Sequence, residues 1–397
     1  MLNLDKNHPT DATIEAIRRR FPVEAEVDRI LTRKMRQRSS GHYATVHREQ
    51  LKNGVASLIR SYHEGPFEIS DVRWLGGGAS KLQMAFSLSW EDPAVGRTTT
   101  PMVLRMEPKE SIAETSRLRE FQLIKAFEGI VPVPPVYWVD ADAEHLPYPA
   151  LIYGLVKGVI KPTSGVSNVT GIGTHLGSRL RKLLAPQFFE HWGIIHNHDF
   201  TSADLTAFDI PEPGTQAAEW ALNWWERVWE EDAEEDVPLM RYAAAWLREN
   251  LPAADRLSIV HSDYRIGNCL FNEQDGRITA WLDWELGHIG DRHEDLGYTS
   301  ARMLQTTGDG KTPLVGGLMP WDEFFESYEK ASGLSVNPKT LYFYRVQAAY
   351  KQAVITLATG YRIARGGKTH QDVLVLWLTG IAAGIMDELS DLLEKGD

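Results

Sequence analysis

His261-Ser262-Asp263-Tyr264-Arg265-Ile266-Gly267-Asn268, followed by Leu282-Asp283-Trp284-Glu285, is the stretch whose reading decides the fold. The largely apolar run Arg256 to Val260 leads into it as a strand. Asn268 to Asn272 reads as a second strand, Glu273-Gln274-Asp275-Gly276 as a hairpin turn, and Arg277 to Leu282 as the return strand. Asp263 then falls on a loop, Asn268 at that loop's far end, and Asp283 at the end of the return strand. Hairpin pairing brings Asn268 and Asp283 together. These are the groups that phosphoryl transfer needs: an Asp to orient a hydroxyl and accept its proton, and an Asn and a second Asp to hold magnesium against nucleotide phosphates. An ordinary hairpin with polar ends is the plain alternative. It leaves three base- or metal-type residues at matching strand ends without a reason.

The motif resembles the catalytic loop and metal-binding segment of the aminoglycoside phosphotransferase (APH) family, which shares the protein-kinase fold. The resemblance makes Asp263 the catalytic Asp and Asn268 and Asp283 the magnesium ligands. The continuation Asp283-Trp284-Glu285-Leu286-Gly287-His288-Ile289-Gly290-Asp291, then Asp295-Leu296-Gly297, resembles the branch found with, or fused to, acyl-CoA dehydrogenases. So do Phe324 to Gly333 and Leu341 to Val346. Ser262 stands where that branch usually has Gly, which adds a hydroxyl and a Cβ in a tight loop. The resemblance covers roughly residues 66–390. It implies an α+β, protein-kinase-like two-lobe fold, with a small β-rich amino-terminal lobe and a larger, mainly helical carboxy-terminal lobe. The implied division is a helical extension over 1–65, a nucleotide-binding lobe over 66–156 and a catalytic, substrate-binding lobe over 157–397.

Upstream, Phe67 to Leu75 leads into Gly76-Gly77-Gly78-Ala79-Ser80-Lys81, and Leu82, Met84, Phe86, Leu88 and Trp90 alternate as a strand. Strand, glycine turn and strand let backbone amides approach phosphates, because glycine has no Cβ. Gly76, Gly77, Gly78 and Ser80 are therefore candidate nucleotide contacts. No Gly-Lys-Ser/Thr follows, so this is not a P-loop. Pro101 to Met106 reads as a strand with one embedded cation, Arg105, where a kinase-like fold usually places Lys. Arg keeps the charge with a different, forked geometry. Ala113 to Phe127 has helical character, and Glu120 matches the family's helix Glu as the partner of Arg105. Leu151 to Val156 leads into the expected hinge, with Tyr153 and Leu155 beside the base through backbone groups. ATP and GTP are equally compatible.

Composition agrees with a soluble globular protein: 43% hydrophobic and 24% charged residues in 397. The single cysteine, Cys269, excludes an internal disulfide and a zinc–cysteine cluster. The amino terminus lacks an apolar signal core, and the apolar run Val373 to Met386 is short and flanked by Asp372 and Asp387. A cytoplasmic setting with no membrane partner is expected. The net charge of −12 is uneven. Residues 1–60 hold 12 Lys/Arg against 7 Asp/Glu, and residues 204–236 hold 11 Asp/Glu against one Arg. Both read as solvated helix faces, the second with Trp220, Trp224, Trp225, Trp229 and Trp246 as core. The sharper reading of the second is an acidic, aromatic wall for a cationic substrate. No aromatic interleaving in the basic arm suggests nucleic acid.

The expected enzyme is a small-molecule kinase moving the γ-phosphate of ATP or GTP, with Mg2+, to an alcohol acceptor. A hydroxyacyl-CoA or hydroxylated organic acid is the expected acceptor, with Lys351, Arg362, Arg365 and Lys368 as candidate cations for it. An aminoglycoside kinase and a pseudokinase-like binding module are the alternatives. His261, Asp291 and Asp295 are expected to brace the loops, and a carboxylate of the latter pair to cap the following helix.

Overall fold

The structure, a computed structural model, describes residues 5–76, 80–163, 173–307, 310–370 and 372–395. Gly77 and Gly78 lie outside the described residues.

Three helices come first: α1 (Asp11–Arg20), α2 (Ala25–Gln37) and α3 (Arg48–Tyr62). They are followed by β1 (Glu68–Trp74), β2 (Leu82–Asp92), β3 (Gly96–Met106), α4 (Arg117–Phe127), β4 (Val136–Asp140) and β5 (Ala150–Gly154). The strands form one antiparallel sheet in the order β1-β2-β3-β5-β4. Alternation along β2 buries Met84, Phe86 and Leu88 against Leu51, Val55 and Ile59 of α3. The helix expected from Ala113 begins four residues later. Ser116 takes the N-cap, its Oγ accepting from Arg119 N, and the Thr115 hydroxyl is drawn to Glu285 instead.

The larger part holds α5 (Gly177–Asn197), α6 (Gln216–Asp232), α7 (Pro238–Glu249), β6 (Leu257–Val260), β7 (Cys269–Phe271), β8 (Ile278–Trp281), β9 (His288–Asp291) and α8 (His293–Thr299). A two-residue pair, β10 (Thr306–Thr307) and β11 (Pro313–Leu314), precedes α9 (Trp321–Ser332) and α10 (Pro338–Ala353). A π-helical stretch, Val354–Gly360, continues into α11 (Tyr361–Gly366), then α12 (Asp372–Thr379) and α13 (Ala382–Lys395). Gly297 lets α10 press onto α8: a Cβ there would lie 2.6 Å from the Tyr344 backbone.

The amino-terminal extension is not free-standing. Val27, Ile30 and Leu31 of α2 share a core with Leu222, Trp225 and Val228 of α6, whereas α3 belongs to the sheet. By length and composition alone, Val373–Lys395 is apolar enough to cross a membrane. Here it is two helices. Ile385, Leu389 and Leu392 of α13 are buried, while α12 exposes Val373 and Leu376.

Candidate active site

The segment from β6 to β9 builds the site. β6 pairs with β9 and β7 with β8. Leu282 N donates to Asn268 O at 2.8 Å, so the hairpin closes with Asn268 beside the approach to Asp283. Asn268 Nδ2 donates to Asp263 O at 2.9 Å. His261 ties the same pieces: its Nε2 lies 2.9 Å from Leu282 O, and its Nδ1 accepts from Asp263 N at 3.3 Å. Beneath the loop, Tyr264 stacks on Trp281 at 4.2 Å and on Trp192 at 4.7 Å. Its hydroxyl donates to Phe188 O. The residue after Asp263 is thus pinned by a packed aromatic core.

Asp295 is the hub behind this loop. Its carboxylate accepts from His261 N at 3.0 Å, Ser262 N at 2.6 Å, and lies 3.0 Å from His196 Nε2. Burial works against that charge, but these donors hold its pKa below the usual carboxylate range. Asp291 accepts from His293 N at the start of α8 and from His293 Nδ1. The N-cap position itself is Arg292, whose side chain makes no capping bond, so Asp291 braces the entry to the helix from one residue before the cap instead of capping it.

Arg105, on β3, lies 3.1 Å from Glu120, 2.8 Å from Asp283 and 3.5 Å from Glu285. Burial disfavours its charge, yet these carboxylates hold its pKa well above the ordinary value. Tyr153, opposite Val103 on β5, is pushed up to about 12 by burial. Leu155 N donates to Pro101 O at 2.9 Å. Among the described residues, nothing lies within 4 Å of where a Cβ on Gly76 would sit. Ser80 O accepts from Ser111 Oγ. Asp263 and Asn268 form one group, with Asp283 across the hairpin joined through Arg105 to Glu120.

The sequence model of the phosphotransferase enzyme family (APH) matches residues 84–333, more than half of the chain. The chain belongs to the phosphotransferase enzyme family. It has the protein-kinase-like α+β fold. Human acyl-CoA dehydrogenase family member 11 is 25% identical over 283 residues, 68% of this chain but only 34% of that protein. The chain therefore spans about a third of that relative. A Ralstonia eutropha protein assigned provisionally to the aminoglycoside phosphotransferases matches with a TM-score of 0.63 at 22% identity, covering 87% of this chain and 98% of that one. An aminoglycoside phosphotransferase solved with GDP and kanamycin gives 0.53 at 16% identity, covering 85% and 98%.

Several residues of this phosphotransferase's site lay beyond sequence reasoning. Arg265 Nε lies 3.0 Å from Asp263 Oδ1. The Tyr298 hydroxyl adjoins both, and burial together with Asp263 raises its pKa well above the ordinary value. Lys81 does not point out of the glycine turn. It is buried, 2.9 Å from both Glu107 and Glu285. Arg117 lies 3.0 Å from Glu107 and 2.9 Å from Glu285, and also pairs with Glu120. Three cations, Lys81, Arg105 and Arg117, and three glutamates, Glu107, Glu120 and Glu285, thus interlock in one buried network. The only advance signal was the density of charge in otherwise apolar segments.

The acidic segment is neither a solvated face nor a substrate wall at its carboxy-terminal end. Glu231 and Asp232 are buried. Asp232 lies 2.8 Å from Lys34 and pairs with Arg38, while Glu231 lies 2.9 Å from Arg227. The basic arm and the acidic helix neutralise each other. The four cations expected for an anionic acceptor are also engaged. Arg362 and Arg365 meet Glu234, Lys368 meets Glu110 at 3.0 Å, and Lys351 meets Ser262.

These pairs set a pH dependence. Burial alone would raise Asp232 and Glu285, but Lys34 and Arg38 for the first, and Lys81, Arg105 and Arg117 for the second, hold both well below the usual range. A depressed carboxylate contributes stability that is present above its unfolded pKa and lost as pH falls through that value and below. The thermal midpoint should therefore hold near neutrality and drop as pH falls from about 5 toward about 3. A midpoint flat across that range would contradict the pairing.

Proposed function

We propose that the chain transfers the γ-phosphate of ATP or GTP, in line, to a hydroxyl of a small molecule, with residues 66–156 holding the nucleotide, 157–397 the acceptor, and 1–65 bracing both. Asp263 orients the hydroxyl and takes its proton late in the transfer. The observation that carries this reading is the single hydrogen-bonded frame that sets Asp263 and Asn268 across a closed hairpin from Asp283. Arg105, fixed by Glu120, steers phosphate oxygens, with Gly76, Gly77, Gly78 and Ser80 covering them and Tyr153 and Leu155 beside the base. Arg265 restrains the Asp263 carboxylate. The intact acids argue against a binding module without catalysis.

Magnesium fits Asp283 and Asn268. Both offer hard oxygen donors, and Asn268 spends its Nδ2 on Asp263 O, which turns Oδ1 away. When bound, the ion would offset charge on the phosphate oxygens. Asp283 presents a carboxylate with 34% of its side chain exposed, paired with Arg105. Asp283→Asn should weaken magnesium-dependent ATP binding by roughly tenfold, since a neutral amide is a poorer hard-cation ligand. Calorimetric titration with and without magnesium checks it. An unchanged magnesium dependence places the metal elsewhere.

The acceptor we propose is a neutral or anionic, partly apolar alcohol, a hydroxyacyl-CoA or hydroxylated organic acid. Two observations support it over an aminoglycoside: the match to the acyl-CoA dehydrogenase relative over 68% of this chain, and the internal neutralisation of Glu231 and Asp232, which removes their pull on a polycation. A cytoplasmic setting accords with the lone cysteine, buried at Cys269. Steady-state kinetics with kanamycin-type and hydroxyacyl-CoA acceptors side by side test the reading. Saturable phosphorylation of the hydroxyacyl-CoA is expected, and efficient transfer to the aminoglycoside alone would overturn it.

A further inference from the structure

Ser262 immediately precedes Asp263 and has φ +64, the left-handed region that a Cβ disfavours. Glycine would occupy it freely, so a serine there has to be held. Ser262 N donates to Asp295 at 2.6 Å and Ser262 Oγ donates to Glu294 at 2.6 Å. The third holder comes from far along the chain. Lys351, buried on α10, donates to Ser262 Oγ at 2.6 Å and to Ser262 O at 2.6 Å. That carbonyl belongs to the peptide leading into Asp263, so Lys351 grips both the side chain and the peptide plane that aims the carboxylate. Lys351 is itself fixed from several sides. Its Nζ lies over the Trp225 ring at 5.4 Å and the Tyr298 ring at 5.1 Å. Glu294, 4.0 Å away, is held in turn by His288 Nε2 at 3.0 Å. A cation so enclosed has no room to bind a solvent-borne anion. Its donors serve the loop.

We infer that Lys351 is a positioning residue for phosphoryl transfer, holding Ser262 in its left-handed conformation and so aiming the Asp263 carboxylate at the acceptor hydroxyl. The inference rests on the assignment of Asp263 as the base.

The test uses the full chain with Lys351→Met, Ser262→Gly, the double variant of these two, and Asp263→Ala. Two readouts are followed: amide hydrogen exchange over residues 258–266, and turnover of magnesium-ATP with water as acceptor. Lys351→Met should quicken exchange at Ser262 and Asp263 by about tenfold or more. It should lower kcat by roughly 10- to 100-fold with the nucleotide KM nearly unchanged. In the Ser262→Gly background, whatever its basal rate, the same substitution should cost only a few-fold, because glycine takes the conformation without help. Equal losses in both backgrounds, or unchanged exchange, would overturn the inference. Quickened exchange in Lys351→Met alongside full turnover in Asp263→Ala would leave the loop-holding role standing and remove the base assignment. If Lys351→Met does not fold, Ser262→Ala replaces it. That variant keeps the Cβ but loses the hydroxyl, and it should turn over more slowly than Ser262→Gly; the reverse order overturns the proposal.

Discussion

Asp263→Ala is expected to lower phosphoryl transfer by about 10²–10⁴-fold, the usual cost of removing a positioned base. Nucleotide affinity should stay within a few-fold of the parent. The two expectations separate because the contacts separate. The Asp263 side chain meets Arg265 and Tyr298, whereas Arg105 is held by Glu120, Asp283 and Glu285. The loop should survive, since its shape depends on the Asp263 backbone, which accepts from Asn268 and donates to His261, and on Tyr264 in the aromatic core. Single-turnover rates and a nucleotide titration on the same preparation read both effects. Turnover within a few-fold of the parent would remove Asp263 from the mechanism.

Asp232→Ala should be the most damaging change outside the site. The carboxylate is fully enclosed and serves Lys34, Arg38 and the Thr359 hydroxyl at 2.6 Å. Truncation leaves the buried Arg38 with only the Glu231 carbonyl, and Lys34 with only the longer 3.5 Å contact to Glu231. Breaking one partner out of such a network costs about 3–5 kcal/mol. Chemical denaturation should show a loss of that order, with earlier release of α2 from α6. A loss below about 1 kcal/mol would mean that the acidic helix end is solvated in the way its composition first suggests.

The parts of this molecule legible in the sequence are those whose partners are close along the chain. Asp263, Asn268 and Asp283 lie on one strand–loop–hairpin unit, so turn chemistry alone sets them near each other. Arg105 and Glu120 sit on consecutive elements, and the 3.1 Å pair follows from one crossover. Charges whose partners are remote gave no such signal. Lys81 and Arg117 meet Glu285 across the two lobes, and Lys34 meets Asp232 from 198 residues away. Periodicity says that a helix has a polar face. It does not say whether water or an opposite charge will cover that face. The same limit explains the start of α4, where Thr115 is taken by Glu285 and Ser116 by the cap. Ser262 is the instructive case. In the sequence it only adds a hydroxyl and a Cβ to a tight loop, and the compensating residue, Lys351, lies on α10.

The most direct test of the central claim is phosphorus NMR of the full chain with magnesium-ATP and a mixed panel of hydroxyacyl-CoAs, hydroxy acids, plain alcohols and aminoglycosides. A new phosphomonoester resonance should grow in step with ADP, require magnesium and vanish with Asp263→Ala. Bound nucleotide with no phosphomonoester on any acceptor would contradict the account.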